Sequence, residues 1–155
     1  MVSNWWYHNL WEKSLSDTGF IFSFNKGNKL TQETLPEPRR EPAIRVVLLP
    51  RDTNSQGTIF GGIILSHIDL AGAVEAARTT RQKVVTKAIK EVEFKAPVFV
   101  GEAVSFYAKT VRVGNTSITV HVDVEVDRAG TIVEVTHADL TFVCVDKDGK
   151  PTAIN

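Results

Sequence analysis

The stretch Pro50-Arg51-Asp52-Thr53-Asn54-Ser55-Gln56-Gly57-Thr58-Ile59-Phe60-Gly61-Gly62-Ile63-Ile64-Leu65-Ser66-His67-Ile68-Asp69 decides the fold, because a polar loop with glycines runs there into an aliphatic helix carrying one acid. From Gly61 to about Thr80 apolar residues occupy nearly every side of that helix, among them Ile63, Ile64, Leu65, Ile68, Leu70, Ala71, Val74 and Ala77. A helix apolar all round has to be wrapped by something else. An ionised carboxylate buried without a partner is costly, so an acid set between Ile68 and Leu70 marks Asp69 as a group in use. The Gly61-Gly62 pair supplies a second reactive element, since unpaired backbone N–H groups at a helix start attract developing negative charge. An acid and an oxyanion site on one helix point to hydrolysis.

The wrapping comes from the rest of the chain. A strand is expected at 43–49, before the helix, and four more come after it at 84–95, 103–113, 116–127 and 131–146. Turn signals at Pro97 and Gly101, at Gly114-Asn115 and at Asp127-Arg128-Ala129-Gly130 separate them. The clearest strand alternates Ile118, Val120, Val122, Val124 and Val126 with Thr119, His121, Asp123, Glu125 and Asp127. A period of two with one wet face describes an antiparallel sheet covered on one side. The fold class is therefore α+β, a single domain in which one long central helix is wrapped by a curved antiparallel sheet of about five strands.

With 155 residues the chain fits one such domain, and its 18 basic and 18 acidic residues cancel. That balance argues against a general nucleic-acid binder, which normally carries a basic excess. The single cysteine, Cys144, allows no intrachain disulfide, and a reducing, cytoplasmic setting is the simplest reading. No apolar run approaches the ~20 residues needed to span a bilayer, and no basic segment followed by an uninterrupted apolar core opens the sequence, so an unexported chain is expected. A soluble protein is expected.

Residues 1–42 form an extension and a proline-containing linker ahead of a domain at 43–155. The extension holds Trp5, Trp6 and Trp11 and the alternating segment Phe20-Ile21-Phe22-Ser23-Phe24, and Pro36, Pro38 and Pro42 punctuate its end. A short helix laying the tryptophans on apolar surface and a mobile tail are both compatible with this composition.

Asp52-Thr53-Asn54, Gly57, Ile59-Phe60-Gly61-Gly62 and Ile68-Asp69-Leu70-Ala71-Gly72 occur in an order that resembles the hot-dog-fold acyl-CoA thioesterases. The branch it looks most like is the bacterial broad-specificity acyl-CoA hydrolases related to the brain-type cytosolic acyl-CoA thioester hydrolase. Val84-Val85-Thr86, Phe94-Lys95-Ala96-Pro97-Val98, Val113-Gly114-Asn115-Thr116-Ser117 and Thr141-Phe142-Val143-Cys144-Val145-Asp146 extend the resemblance over 43–150. Many hot-dog relatives carry histidine where this chain has Phe60, and phenylalanine there suits the branch named. The resemblance implies paired subunits with joined sheets, often a trimer of such dimers, and active sites between subunits. It further implies that Asp69 is catalytic, that Asn54 is contributed from the partner chain, and that acyl-CoA is the substrate, with no cofactor.

Each candidate also has a plainer explanation. Asp69 could be a structural acid, but Ser66, Gly72 and Ala73 on its face are small and leave room beside the carboxylate. Gly61 and Gly62 could serve only close packing; the functional reading makes the Gly62 N–H, with Gly61 beside it, the donor to the thioester oxygen, and sets Phe60 against the substrate. Asn54 suits turn chemistry as well as orienting a water or carbonyl. Thr86 belongs to the strand position that faces the helix in related enzymes. Gly114, Asn115, Thr116 and Ser117 make a hairpin turn that, by the resemblance, lies along the pantetheine arm. Arg78, Arg81, Lys83 and Arg112 are candidates for the CoA phosphates or simply solvated. His67 points away from Asp69, His121 and His137 suit surface or core, Glu75 reads as solvated, and no metal spacing occurs.

Asp69 acts either as general base toward water or as nucleophile forming a mixed anhydride. A non-catalytic acyl-CoA sensor is the main rival, which the acid and Asn54 disfavour. A hydratase would need a histidine converging on the acid.

Overall fold

The computed structural model of the chain describes residues 20–24, 30–34 and 40–155. The chain divides into two compact units, 1–39 and 40–155. In the first, β1 (Phe20–Phe24) pairs antiparallel with β2 (Leu30–Thr34), Phe20 opposite Thr34. The tryptophans and the Pro36–Pro38 part of the linker lie outside the described residues.

The second unit runs β3 (Ile44–Val47), a 3-10 turn (Pro50–Asp52), α1 (Gly61–Thr79), β4 (Val84–Ile89), β5 (Ala103–Val113), β6 (Ser117–Arg128) and β7 (Thr131–Cys144). Its strands form one curved antiparallel sheet in the order β3-β5-β6-β7-β4, with α1 lying across it. The alternation in β6 is obeyed throughout: Ile118, Val120, Val122 and Val124 are fully buried while their neighbours face outward. They pack with Phe106, Leu140 and Phe142 against Ile64, Ile68, Ala71 and Ala76 of the helix. Each such Val, Ile, Leu or Phe side chain, fully buried, contributes about 1.5–3 kcal/mol. Gly72 brings the helix down onto the sheet, since a Cβ there would stand 2.9 Å from the Phe142 ring.

Three expectations need correction. The helix is wrapped on one side only: Leu70 is 55% and Val74 41% exposed, because five strands reach round no further. The strand expected at 84–95 ends at Ile89, after a bulge between Thr86 and Ala88. Beyond it only Lys90 and Lys95 donate backbone N–H groups to the Asp139 and Val135 carbonyls. Lys90 interrupts the row of Ala88, Val92 and Phe94 there, and Pro97 cannot donate to a ladder. Glu75, expected to be solvated, instead has a side chain only 14% exposed and accepts a hydrogen bond from the Thr110 backbone N–H at 3.1 Å.

The outward face of the sheet is a charge network. Arg40 pairs with Asp123 and Glu125 at 3.0 and 3.2 Å, and Lys95 with Glu134 at 2.6 Å. His121 lies between Asp139 and Asp123, with His137 stacked on it at 5.7 Å. None of the helices described is long and apolar enough to cross a membrane.

Candidate active site

The candidate residues fall into two clusters held by different elements. The first is the loop before the helix. Asp52 Oδ2 accepts from the Leu49 N–H at 2.9 Å, and the Asp52 carbonyl accepts from the Phe60 N–H at 2.8 Å, which fixes both ends of the loop. Asn54 folds the loop between them: Oδ1 accepts from the Gln56 and Thr58 N–H groups at 2.8 and 3.3 Å, and Nδ2 donates to Thr58 Oγ1 at 2.9 Å. The amide has two hydrogens, so one remains for a ligand.

Phe60 is the N-cap of α1 and offers no side-chain acceptor. Among the described residues the N–H groups of Gly61 and Gly62 meet no protein acceptor, while Ile63 N–H already bonds back to the Phe60 carbonyl at 2.9 Å. Both glycines let an aromatic ring approach the backbone closely. A Cβ on Gly61 would stand 3.3 Å from the Phe94 ring, and one on Gly62 would run into the ring of Phe60. The two aromatic rings thus wall the free amides. Beside them opens a cavity of about 390 Å³ whose lining includes Asn54, Gly61, Phe94, Ile64, Val98 and Val135.

The second cluster is Asp69 and Thr86. Thr86 Oγ1 of β4 donates to Asp69 Oδ1 at 2.6 Å, joining helix to edge strand. Asp69 is half-buried rather than enclosed among aliphatics, since the exposed Leu70 beside it leaves that side open. Its Oδ2 has no partner among the described residues. The space expected at Gly72 is filled by Phe142, so the opening lies toward Ser66, Leu70 and β4 instead. His67 takes no part: Nδ1 meets the Ile63 carbonyl at 2.9 Å and its ring stacks on Phe106 at 5.5 Å.

The clusters do not meet within one chain. Gly62 and Asp69 are seven residues apart, nearly two full turns, so they share a helix face but lie about 10 Å apart along the axis. No single thioester carbonyl touches both. The turn at 114–117 forms as expected, with Gly114 N–H donating to the Ser117 carbonyl at 2.7 Å. It stands on the Asp69 side of the sheet: Ser117 is opposite Val143 and Val143 opposite Val85, two strand spacings or about 10 Å.

Cys144 is a buried free thiol, and burial pushes its pKa up, which suits packing rather than attack. Arg78 is tied to Glu75 at 3.1 Å, and Arg81 lines an open cleft beyond the helix end with Thr80, Gln82 and Asn155. Among the described residues no three His, Cys, Asp or Glu side chains assemble as metal ligands. Sequence reasoning does not single out Phe94 as a site residue. The signals that could have found it are its place at the head of the Phe94-Lys95-Ala96-Pro97-Val98 run and Pro97, which cannot donate to a strand ladder.

Known proteins place this architecture. The family model of the thioesterase superfamily matches residues 56–133. The acyl-CoA thioester hydrolase YciA of Salmonella typhimurium is 38% identical over 119 residues, 74% of this chain and 90% of that protein. The hexameric hot-dog-fold thioesterase Cj0915 of Campylobacter jejuni is 48% identical, with a TM-score of 0.69 over 74% of this chain and 90% of its own. HI0827, a hexameric broad-specificity acyl-coenzyme A thioesterase, is 35% identical, with a TM-score of 0.70 over 77% and 84% of the two chains. This chain belongs to the thioesterase superfamily, within its hot-dog-fold acyl-CoA thioester hydrolases.

Proposed function

We propose that the protein hydrolyses fatty acyl-CoAs to free acid and coenzyme A in sites shared between two copies of the chain. The observation that carries this reading is the pair of half-sites: an acid with one free oxygen, and unpaired amides two helical turns away on the same face. Two helices side by side and antiparallel bring the Gly62 amide of one copy toward Asp69 of the other. The exposed Leu70, Val74, Val85 and Ile89 and the edge of β4, unpaired among the described residues, supply the apolar surface and hydrogen bonds for such a pairing. The hexameric assembly of Cj0915 and HI0827 is in keeping with a trimer of these dimers.

In this site the thioester oxygen sits at the amides of Gly62 and Gly61, with Phe60 and Phe94 excluding water. Loss of one such donor costs roughly 3 kcal/mol, about a hundredfold in rate. The partner's acid, oriented by its Thr86 hydroxyl, takes a proton from water attacking the carbonyl carbon, or attacks it directly to give a mixed anhydride. The carbon–sulfur bond breaks and the thiolate leaves, taking up a proton to become CoA; in the anhydride route a water then cleaves the acyl–aspartyl bond to release the free acid and restore the carboxylate. The free N–H of Asn54 orients the water or the carbonyl, and the turn of Gly114, Asn115, Thr116 and Ser117 holds the pantetheine arm. We assign the catalytic domain to 43–155, with 1–42 as an extension. Phe60 ahead of the glycines supports the branch related to the brain-type enzyme.

Free-thiol release from short, medium and long acyl-CoAs, compared between the wild type and a folded Asp69→Ala variant, tests this. Turnover lost in the variant upholds the reading. Binding without thiol release from any member would instead make the protein a sensor and Asp69 a structural acid.

A further inference from the structure

Glu75 sits on α1 away from both half-sites, and its carboxylate reaches across to β5. Oε1 accepts from the Thr110 backbone N–H at 3.1 Å and from Thr110 Oγ1 at 3.2 Å, while Oε2 pairs with Arg78 Nη1 at 3.1 Å. Thr79 Oγ1 adds a bond to Thr110 Oγ1 at 3.0 Å. Two helix residues therefore converge on one strand residue.

The strand needs them at that point. Pairing between β3 and β5 ends at Ile44 opposite Phe106, and Ala43 N–H donates to the Phe106 carbonyl at 2.8 Å. Thr110 has the same strand parity as Phe106, so its N–H points to that edge, where no strand of the described residues lies beside it. Immediately beyond, the β5–β6 register shifts between Thr110 and Arg112, leaving Val111 as the extra residue and 51% exposed. Bulges bend a strand and re-aim the residues beyond them, and Gly114 stands three positions past Val111. The far side of the same turn is strapped by the C-terminus, Ile154 N–H donating to the Asn115 carbonyl at 2.8 Å and Gln82 Nε2 to the Ala153 carbonyl at 3.0 Å.

We infer that Glu75 is a positioning residue: its carboxylate replaces the missing strand at the edge of β5, fixes the bulge, and thereby aims the 114–117 turn at the substrate. The last step rests on the thioesterase reading proposed above. Amide acceptance, not charge, is the operative property, because the Arg78 partner is exposed and such pairs contribute little.

The test compares Glu75→Ala, which removes the acceptor, with Glu75→Gln, which keeps an acceptor oxygen without the charge. Glu75→Ala is expected to raise KM for acyl-CoA about tenfold with kcat nearly unchanged, and to speed hydrogen exchange at the Thr110 and Gly114 amides about tenfold. Glu75→Gln is expected to restore both. Glu75→Asp, whose carboxylate falls short of Thr110, stands in should the alanine variant not fold, and is expected to show the same KM rise. Unchanged KM and unchanged amides on removing the acceptor, or a glutamine variant as impaired as alanine, overturn the inference. If the wild type releases no thiol from any acyl-CoA, hydrolysis has failed as a reading, and the two amides alone decide whether Glu75 positions the turn.

Discussion

The two half-sites differ in how tightly the fold holds them. The loop at the helix start is tied by several hydrogen bonds of its own, four of them made by Asn54 with Gln56 and Thr58. Asp69 is tied by one, from Thr86. The loop therefore belongs to the folding of the chain as much as to the proposed chemistry, whereas the acid proposed to react is held lightly on an open face. The contrast separates rate from stability. Changes on the acid side are expected to cost activity alone, and changes on the loop side to cost both.

Asp69→Ala gives the largest effect, a fall in kcat of about a thousandfold or more with an unchanged melting temperature. A comparable loss of stability in that variant would erase the contrast. Asn54→Ala strips the loop of its side-chain bonds, and is expected to lower stability by about 2 kcal/mol as well as lowering kcat about tenfold to a hundredfold. Chemical denaturation and thiol-release kinetics on the same preparation read both quantities. Thr86→Val removes the single bond to Asp69, so kcat should fall about tenfold with no change in the denaturation midpoint.

Two further variants mark what neither half-site controls. Glu102 is bridged by Arg128, Nε to Oε1 at 2.6 Å, and this bond is the main reason its pKa lies below the ordinary 4.5. A carboxylate lowered in the folded state contributes stability above its unfolded pKa and loses it as pH falls through the folded value. Glu102→Gln should therefore lower the melting temperature at neutral pH, with the difference from wild type closing below about pH 4, and leave kcat alone. Ala129, at φ 54 in the two-residue turn between β6 and β7, occupies a conformation that glycine adopts without strain. Ala129→Gly is expected to stabilise the protein by about 0.5–1 kcal/mol without touching turnover.

Much of this architecture can be read from residue order. The helix begins at Gly61 and β5 spans 103–113 as periodicity and turn residues indicate, and the inward row of β6 comes from strict alternation. Local pattern carries those features because each depends on near neighbours in sequence. The early end of β4, the use of Gly72 to admit Phe142, and the engagement of Glu75 by Thr110 depend on contacts across tens of residues, which no window of sequence contains. The exposure of Asp69 is a third kind of property. It depends on where the sheet stops, and so on surface that one chain leaves bare. The candidate residues can be nominated one by one from residue order, while their placement about 10 Å apart along the helix emerges only from its geometry.

Mixing Asp69→Asn chains, nearly inactive alone, with Asn54→Ala chains, weakened about tenfold to a hundredfold, under conditions that exchange subunits tests the division into half-sites directly. A site built across two copies predicts that mixed assemblies regain activity, because one of the two sites in each mixed pair then holds both native residues. Mixed assemblies that form, yet stay as inactive as their parents, would mean that each chain carries its whole site and would contradict the shared-site account.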